Sequence, residues 1–269
     1  KSDLDLILIY DPAGIEVSEG EKVINSRTYY ARLTKSMVAA ISAPMTEMSL
    51  FQVDMRLRPS GNQGPVATSW EAFKYYQTSE AWVWEHLALV NATVITGPEG
   101  LKADVSEFCK NLKTLRSDEK VMSGLSIMRK RLLASRSMDE KWSLKLGQGK
   151  LQDIELVSQM GILLSNGNIS GVHSGLMNLN KLKKICTEDI NFLINTYELL
   201  LSVQILSKLL LKENIKDGDL GTNGKDLLLK HTDTSSIPLL IEKIAEMASK
   251  SATIISNILP NPKQVHDER

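Results

Sequence analysis

The beginning of the chain constrains its fold more than any other segment. An apolar run, Ile7-Leu8-Ile9-Tyr10, follows Asp3 and Asp5 and is typical of a buried β-strand. Because side chains alternate between faces along a strand, the two aspartates project from one face. Neighbouring carboxylates repel each other unless a positive charge lies between them. The pattern predicts either a divalent-cation site, for which oxygen ligands favour Mg²⁺ or Mn²⁺, or an ordinary acidic strand end.

A second segment repeats this acidic character. Residues 52–58 alternate strictly between polar and apolar types, and Pro59 then ends the predicted strand. The polar face carries Gln52, Asp54, Arg56 and Arg58. If the two strands are neighbours, Asp3, Asp5 and Asp54 converge on two metal ions, while the two arginines face phosphate oxygens. The alternative is an Asp–Arg ladder on a solvated sheet face.

The rest of the chain changes from mixed structure to helices. A helical spacing over residues 25–43 separates the two predicted strands, and Ser69 fits the N-cap of a helix over 70–76. Residues 81–96 are apolar and aromatic, and further apolar spacing at three and four residues predicts helices over 118–135, 153–164, 175–186, 188–212 and 237–259. We therefore predict an α+β protein with two domains, residues 1–115 and 116–269.

Composition excludes several classes of protein. The chain of 269 residues is 42% hydrophobic and has no formal net charge, which argues against a strongly basic nucleic-acid binder. Cys109 and Cys186 provide no disulfide framework. No uninterrupted apolar stretch approaches the ~18 residues of a membrane span, and no signal peptide is recognisable. We expect a cytoplasmic protein that binds neither nucleic acid nor membrane.

Several motifs together resemble one bacterial family, the glutamine synthetase adenylyltransferases. The resemblance lies in Ser2-Asp3-Leu4-Asp5-Leu6, in Val53-Asp54-Met55-Arg56-Leu57-Arg58-Pro59-Ser60-Gly61 and in Gly64-Pro65-Val66. It continues through Ala72-Phe73, Tyr76-Gln77, Glu80–Val90, Met128-Arg129 and residues 147–155. Members of this family are bifunctional, with one half that attaches AMP to glutamine synthetase and one that removes it. The block Trp84-Glu85-His86 resembles the AMP-attaching, C-terminal half.

The resemblance implies a fold, a reaction and a set of site residues. The fold is a polymerase-β-like nucleotidyltransferase palm, truncated at its N-terminal side, followed by an α-helical bundle. The reaction transfers AMP from ATP to a tyrosine of glutamine synthetase, with Mg²⁺ or Mn²⁺ and with regulation by the PII signal protein. The catalytic and metal-binding residues are Asp3, Asp5 and Asp54, with Asp54 as the candidate base. The nucleotide-binding residues are Ser2, Arg56, Arg58 and Lys145.

The sequence also departs from the family pattern. The glycine-rich turn that precedes the first strand is reduced to Ser2, with Lys1 where glycine is usual, so we expect a fragment. Lys150 replaces a glycine, and Leu156 replaces a phenylalanine.

Two other functions remain open alternatives. One is the AMP-removing half, which uses phosphate and releases ADP. The other is a non-catalytic module that docks on glutamine synthetase or PII.

Two local interpretations also stay open. Trp82 and Trp84 either stack on adenine or belong to the core. Asp153 and Glu155 support the site or the domain contact, or they are ordinary acids at a helix start.

Overall fold

The chain forms two compact units in the computed structural model. The sheet unit comprises the described residues of Lys1–Ala88 and Thr96–Asp104, and the helical unit comprises those of Leu89–Ile95 and Val105–Glu268. The structure describes residues 3–43, 52–134, 142–165, 171–210 and 220–259. The domain boundary after residue 115 stays a prediction.

Two small parallel sheets and several helices make up the sheet unit. The elements are β1 (Leu4–Asp5), β2 (Ile9–Tyr10), α1 (Ser26–Ile41), β3 (Val53–Asp54), β4 (Thr68–Ser69), α2 (Trp70–Ser79) and α3 (Val83–Leu89). β1 pairs with β3, and β2 pairs with β4. Each pair joins strands that are distant in sequence, as parallel pairing requires.

The predicted first strand is two strands with different partners. The backbone N–H of Leu6 donates to the Asp54 carbonyl at 2.8 Å, whereas the Leu8 carbonyl accepts from Thr68 N–H at 3.0 Å. The segment therefore changes its hydrogen-bonding partner from β3 to β4 between Leu6 and Leu8. Tyr10 is buried, and the run before it is only half-buried, so the prediction of one buried strand is wrong.

The prediction of a strand over residues 52–58 is also wrong beyond Asp54. β3 ends there because the Asp54 carboxylate accepts a hydrogen bond from the Arg56 backbone N–H at 2.8 Å. A side chain that captures the backbone donor two residues ahead forms an Asx turn, which competes with a sheet ladder. The backbone then turns, with Arg58 N–H donating to the Met55 carbonyl at 3.3 Å. Arg56 and Arg58 therefore do not share a strand face with Asp54.

The helix cap predicted at Ser69 is present, and α1 has a cap that was not predicted. Ser69 caps α2 by accepting from Ala72 N–H, and Asn25 caps α1 by accepting from Thr28 N–H. Both caps satisfy a backbone donor that the first helical turn leaves unpaired. In the apolar and aromatic segment over 81–96, α3 ends at Leu89.

Helices alone build the helical unit in its described residues. α4 (Glu99–Lys110) has residues in both units and is followed by a 3-10 turn at Leu112–Leu115. The remaining elements are α5 (Asp118–Ala134), α6 (Leu151–Leu164), α7 (Val172–Lys181), α8 (Thr187–Leu210), α9 (Thr222–Thr232) and α10 (Ile237–Ile258). The five predicted helices beyond residue 115 are confirmed within a few residues, and α4 and α9 were not predicted.

An apolar core joins these helices. Its buried residues are Leu144, Leu151, Leu200, Val203, Leu220, Leu228, Leu240 and Ile244. α6 and α7 cross closely at two glycines: a Cβ on Gly161 would lie 2.0 Å from the Gly175 carbonyl oxygen. Only glycine permits that crossing distance.

The expectation that no segment approaches the length and hydropathy of a membrane span does not hold for α8. Its mean hydropathy of 1.2 over an 18-residue window makes it long and apolar enough by composition, and 33% of that window is buried. Its buried side chains pack against α6, α7, α9 and α10. Core helices pass the same test of length and composition, so hydropathy alone does not assign α8 to a bilayer.

Candidate functional site

The predicted carboxylates come together through the pairing of β1 and β3. Asp5 is the direct partner of Asp54 in the parallel register, so their side chains lie on one face of the sheet. Asp3 and Asp5 are exposed while Leu4 and Leu6 are half-buried, as expected for alternating residues. The condition stated from the sequence, that the two acidic strands are neighbours, is met.

An arginine already neutralises part of this acidic face. Arg56 donates from Nε to Asp54 Oδ2 at 2.7 Å, and its Nη2 forms a second contact with the same oxygen. Hydrogen bonds from the Arg56 side chain and backbone lower the pKa of Asp54. The Asp54 contact, with the charges of Asp3 and Asp5, raises the pKa of Arg56. The guanidinium is thus electrostatically coupled to three carboxylates.

Arg58 lies in a different environment from Arg56. It is 8% exposed, and its Nη1 donates to the Met55 carbonyl at 2.6 Å. Its Nε donates to the Gly64 carbonyl at 3.4 Å, across a turn that contains the 3-10 helix Gly61–Gln63. Because these donors bind carbonyls of their own turn, the geometry favours a role in shaping the turn over the predicted phosphate contact.

A hydrogen-bonded chain connects this turn to α3. Tyr76 Oη donates to Glu85 Oε1 at 2.9 Å and accepts from the Ser60 backbone N–H. The other carboxylate oxygen of Glu85 accepts from Trp82 N–H at 2.8 Å, which is the reaching-back half of a capping box. Burial, and then the contact with Glu85, raises the pKa of Tyr76. Tyr76 thereby fixes the turn after Arg58 to the start of α3.

The aromatic and histidine block has two distinct parts. His86 is 1% exposed, and its Nε2 lies 2.9 Å from the Gln77 carbonyl oxygen, so Nε2 carries the proton. His86 is therefore a structural histidine with a satisfied hydrogen bond. Trp82 and Trp84 are 45% and 39% exposed, so they are not core residues. Stacking of either indole on adenine stays a prediction.

The remaining predicted nucleotide contacts lie elsewhere. Ser2 is outside the described residues. Lys145 is an exposed residue of the helical unit, and its charge acts on Glu155. Its assignment to nucleotide binding stays a prediction. The neighbouring Lys150 is half-buried, and burial lowers its pKa.

Asp153 and Glu155 are structural residues of the helical unit. Arg129 donates to both oxygens of Asp153, from Nε at 2.7 Å and from Nη2 at 2.8 Å. Asp153 also accepts from Gly149 N–H at 2.8 Å. Burial raises the pKa of Glu155, and the Tyr197 hydroxyl donates to it at 3.4 Å. These contacts favour the interpretation of both acids as residues that organise α6.

The donor set of the carboxylate face suits an oxygen-preferring divalent cation in its chemistry and in its strand register. Within the described residues, however, His, Cys, Asp and Glu side chains form no group of three positioned around a common metal. Both Asp54 oxygens are engaged by Arg56. Carboxylates suited to a divalent cation are therefore present, but the Arg56 guanidinium occupies Asp54 in this arrangement.

Sequence reasoning counted Tyr76 only among residues that carry the resemblance, and it did not identify Glu85 as its partner. Their contact spans nine residues and a break between two helices. The Glu at the third position of α3 was an available capping signal, but nothing local indicates Tyr76 as its partner.

Comparison with known proteins gives a consistent result. A sequence model described as "Glutamate-ammonia ligase adenylyltransferase" matches residues 1–108. A bifunctional glutamine synthetase adenylyltransferase/adenylyl-removing enzyme of Mesorhizobium japonicum is 35% identical over 254 residues, 93% of this chain and 26% of the relative. The corresponding enzyme of Bartonella quintana is 31% identical over 262 residues, 94% of this chain and 26% of the relative.

A third relative covers less of the chain at higher identity. The enzyme of the same description from Brucella suis is 43% identical over 164 residues, 60% of this chain and 17% of the relative. The chain thus spans about a quarter, or less, of the length of these curated relatives.

Proposed function

The chain belongs to the glutamine synthetase adenylyltransferase family, and on that premise we propose that its sheet unit attaches AMP from ATP to a tyrosine of glutamine synthetase. The observation that carries the proposal is the register that pairs Asp5 with Asp54 on parallel strands. This pairing supports a polymerase-β-like palm, in which carboxylates from two strands serve one nucleotidyl transfer.

The residues of the face have separate tasks in this proposal. Asp3, Asp5 and Asp54 would hold the divalent cation, Mg²⁺ or Mn²⁺, which would offset triphosphate charge and lower the pKa of the attacking hydroxyl. A free tyrosine hydroxyl has a pKa of about 10. Asp54 accepts its proton, and the phenolic oxygen then attacks the α-phosphorus as pyrophosphate leaves. Arg58 and Tyr76 keep the turn after β3 in place.

The surroundings of Glu85 favour attachment of AMP over its removal. The block Trp84-Glu85-His86 carries the resemblance to the AMP-attaching half, and all three residues lie in α3. Glu85 and His86 are buried and hydrogen-bonded, which makes this block an integral part of the sheet unit. We further propose a cytoplasmic setting and regulation through the PII signal protein.

The test is transfer of labelled AMP. Glutamine synthetase is incubated with Mg²⁺, ATP labelled on the α-phosphate, and this chain extended by an upstream glycine-rich turn. Asp3→Asn and Asp5→Asn are compared with Asp104→Asn, an exposed aspartate of α4 in the same unit. We expect label on glutamine synthetase, its loss in the first two variants, and its retention in the third.

The other outcomes identify the rival functions. ADP release from AMP-modified glutamine synthetase and phosphate, without label transfer, would assign the AMP-removing activity. Binding of glutamine synthetase or PII without either reaction, unchanged by Asp3→Asn, would assign a docking module. Loss of folding in Asp3→Asn or Asp5→Asn would make these carboxylates structural.

A further inference from the structure

Asp54 has both of its carboxylate oxygens occupied by Arg56. The Arg56 backbone N–H donates to Oδ1 at 2.8 Å, Nε donates to Oδ2 at 2.7 Å, and Nη2 also contacts Oδ2. The Asp54 side chain is only 13% exposed. A cation that bound Asp54 through Oδ2 would have to replace the guanidinium.

A cation can displace the Arg56 guanidinium from Asp54, whereas Arg58 is held by other contacts. It is 70% exposed, so the guanidinium gains water when it leaves Asp54. Exposed ion pairs are weak because solvent screens them. Arg58 also acts on Asp54 electrostatically, but it is buried and donates to carbonyls of its own turn. Arg56 is therefore the exchangeable positive charge of the face.

From this geometry we infer that Arg56 is an internal competitor for the divalent cation at Asp54. The inference rests on the proposed function, which places a cation on Asp3, Asp5 and Asp54. Arg56 offsets one of the three carboxylate charges before the cation binds, and its guanidinium moves away from Oδ2 when the cation is ligated. Arg56 is a positioning residue in this scheme, because it acts through Asp54.

The inference predicts tighter cation binding after a mutation. Mn²⁺ is titrated into the 269-residue chain without nucleotide, and free Mn²⁺ is measured by electron paramagnetic resonance. We expect Arg56→Gln to lower the Kd for Mn²⁺ about two- to fivefold, the range set by loss of an exposed competing ion pair. A merely structural role predicts the opposite sign, since a damaged site binds Mn²⁺ more weakly.

Three further variants distinguish competition between Arg56 and Mn²⁺ from changes in net charge or in the site itself. Arg32→Gln removes the same charge from an exposed position of α1 and reports the effect of net charge alone. Arg56→Lys keeps a cation next to Asp54 and is expected to stay close to the parent chain. Asp54→Asn removes the ligand and is expected to raise the Kd.

Each result decides one claim. If Arg56→Gln binds Mn²⁺ no more tightly than Arg32→Gln while Asp54→Asn weakens binding, the competition is wrong and the proposed carboxylate site stands. If Asp54→Asn binds Mn²⁺ as the parent chain does, the site itself is wrong, and the competition falls with it. Tighter binding in Arg56→Gln alone supports both.

Discussion

Two Asp–Arg pairs with similar hydrogen bonds have opposite surroundings in this protein. In the sheet unit, Asp54 and Arg56 are two residues apart, and the arginine side chain is 70% exposed. In the helical unit, Asp153 and Arg129 are 24 residues apart, and their side chains are 4% and 13% exposed. The first pair is local and exchangeable with solvent, whereas the second connects α5 to α6.

The buried pair is embedded in further contacts. Arg129 also donates to Ser256 Oγ of α10 at 3.1 Å, and Asp153 accepts from Gly149 N–H. Gly149 has a φ of +66° and passes so close to α10 that a Cβ would lie 1.9 Å from the Ala248 carbonyl oxygen. The pair therefore fixes a tight turn against two helices. Burial and connectivity, more than residue type, distinguish these two ion pairs.

Breaking the buried pair is expected to have the largest effect on stability. Asp153→Asn leaves the Arg129 guanidinium buried without a counter-charge, and we expect the free energy of unfolding to fall by about 3–5 kcal/mol. Urea denaturation measures this change. Asp226→Asn, at an exposed position of α9, serves as the control and is expected to change stability little. A loss below 1 kcal/mol for Asp153→Asn would erase the contrast between the two pairs.

An intermediate effect is expected where the sheet unit has a buried polar network of its own. Tyr76→Phe removes the hydroxyl that pairs with Glu85 and Ser60, and it leaves a 5% exposed carboxylate with one donor fewer. We expect a loss of about 1–2 kcal/mol in thermal or urea unfolding. Tyr75→Phe is a matched control on the same helix, because Tyr75 is 64% exposed. Equal behaviour of the two variants would contradict the network.

The smallest expected effect concerns Glu155 and has a defined pH dependence. Burial raises its pKa in the folded state, so its favourable contribution is present below the unfolded pKa of about 4.3 and is lost as the pH rises through the folded pKa. The glutamine of Glu155→Gln cannot ionise, so the variant does not lose this stability as the pH rises. Its amide oxygen still accepts from Tyr197.

We expect Glu155→Gln to stabilise the chain slightly at pH 7, because glutamine carries no charge that burial would penalise. Unfolding curves at pH 7 and pH 4 measure the difference, which should vanish at the lower pH. Glu242→Gln, at an exposed position of α10, should show no such dependence. A gain that is equal at both pH values would refute the role of burial.

The sequence predicted local features of this fold better than long-range ones. Ser69 was recognisable as a helix cap because capping involves residues three positions apart. The alternation over 52–58 was misleading, since an Asx turn at Asp54 leaves the same polar and apolar spacing as a strand. The division of the first apolar run between two partner strands depends on tertiary contacts that no local pattern contains.

The same limit applies to the candidate site. Alternation placed Asp3 and Asp5 on one face, and the register brings Asp54 beside Asp5. The sequence did not separate Arg56 from Arg58, because both follow Asp54 at even spacing, yet one is exposed and the other is buried. It also did not reveal that Arg129 binds Asp153, since that contact depends on how α5 packs against α6.

The most direct test of the central claim is AMP transfer by Asp54→Asn, measured in samples whose unfolding free energy is determined in parallel. The protein assayed is this chain extended by an upstream glycine-rich turn, and Asp104→Asn is the control. We predict that transfer to glutamine synthetase falls at least about 100-fold, as expected for loss of a general base, while stability changes by less than about 1 kcal/mol. Transfer at the parent rate, or a loss that only follows unfolding, would contradict the assignment of this carboxylate face to AMP attachment.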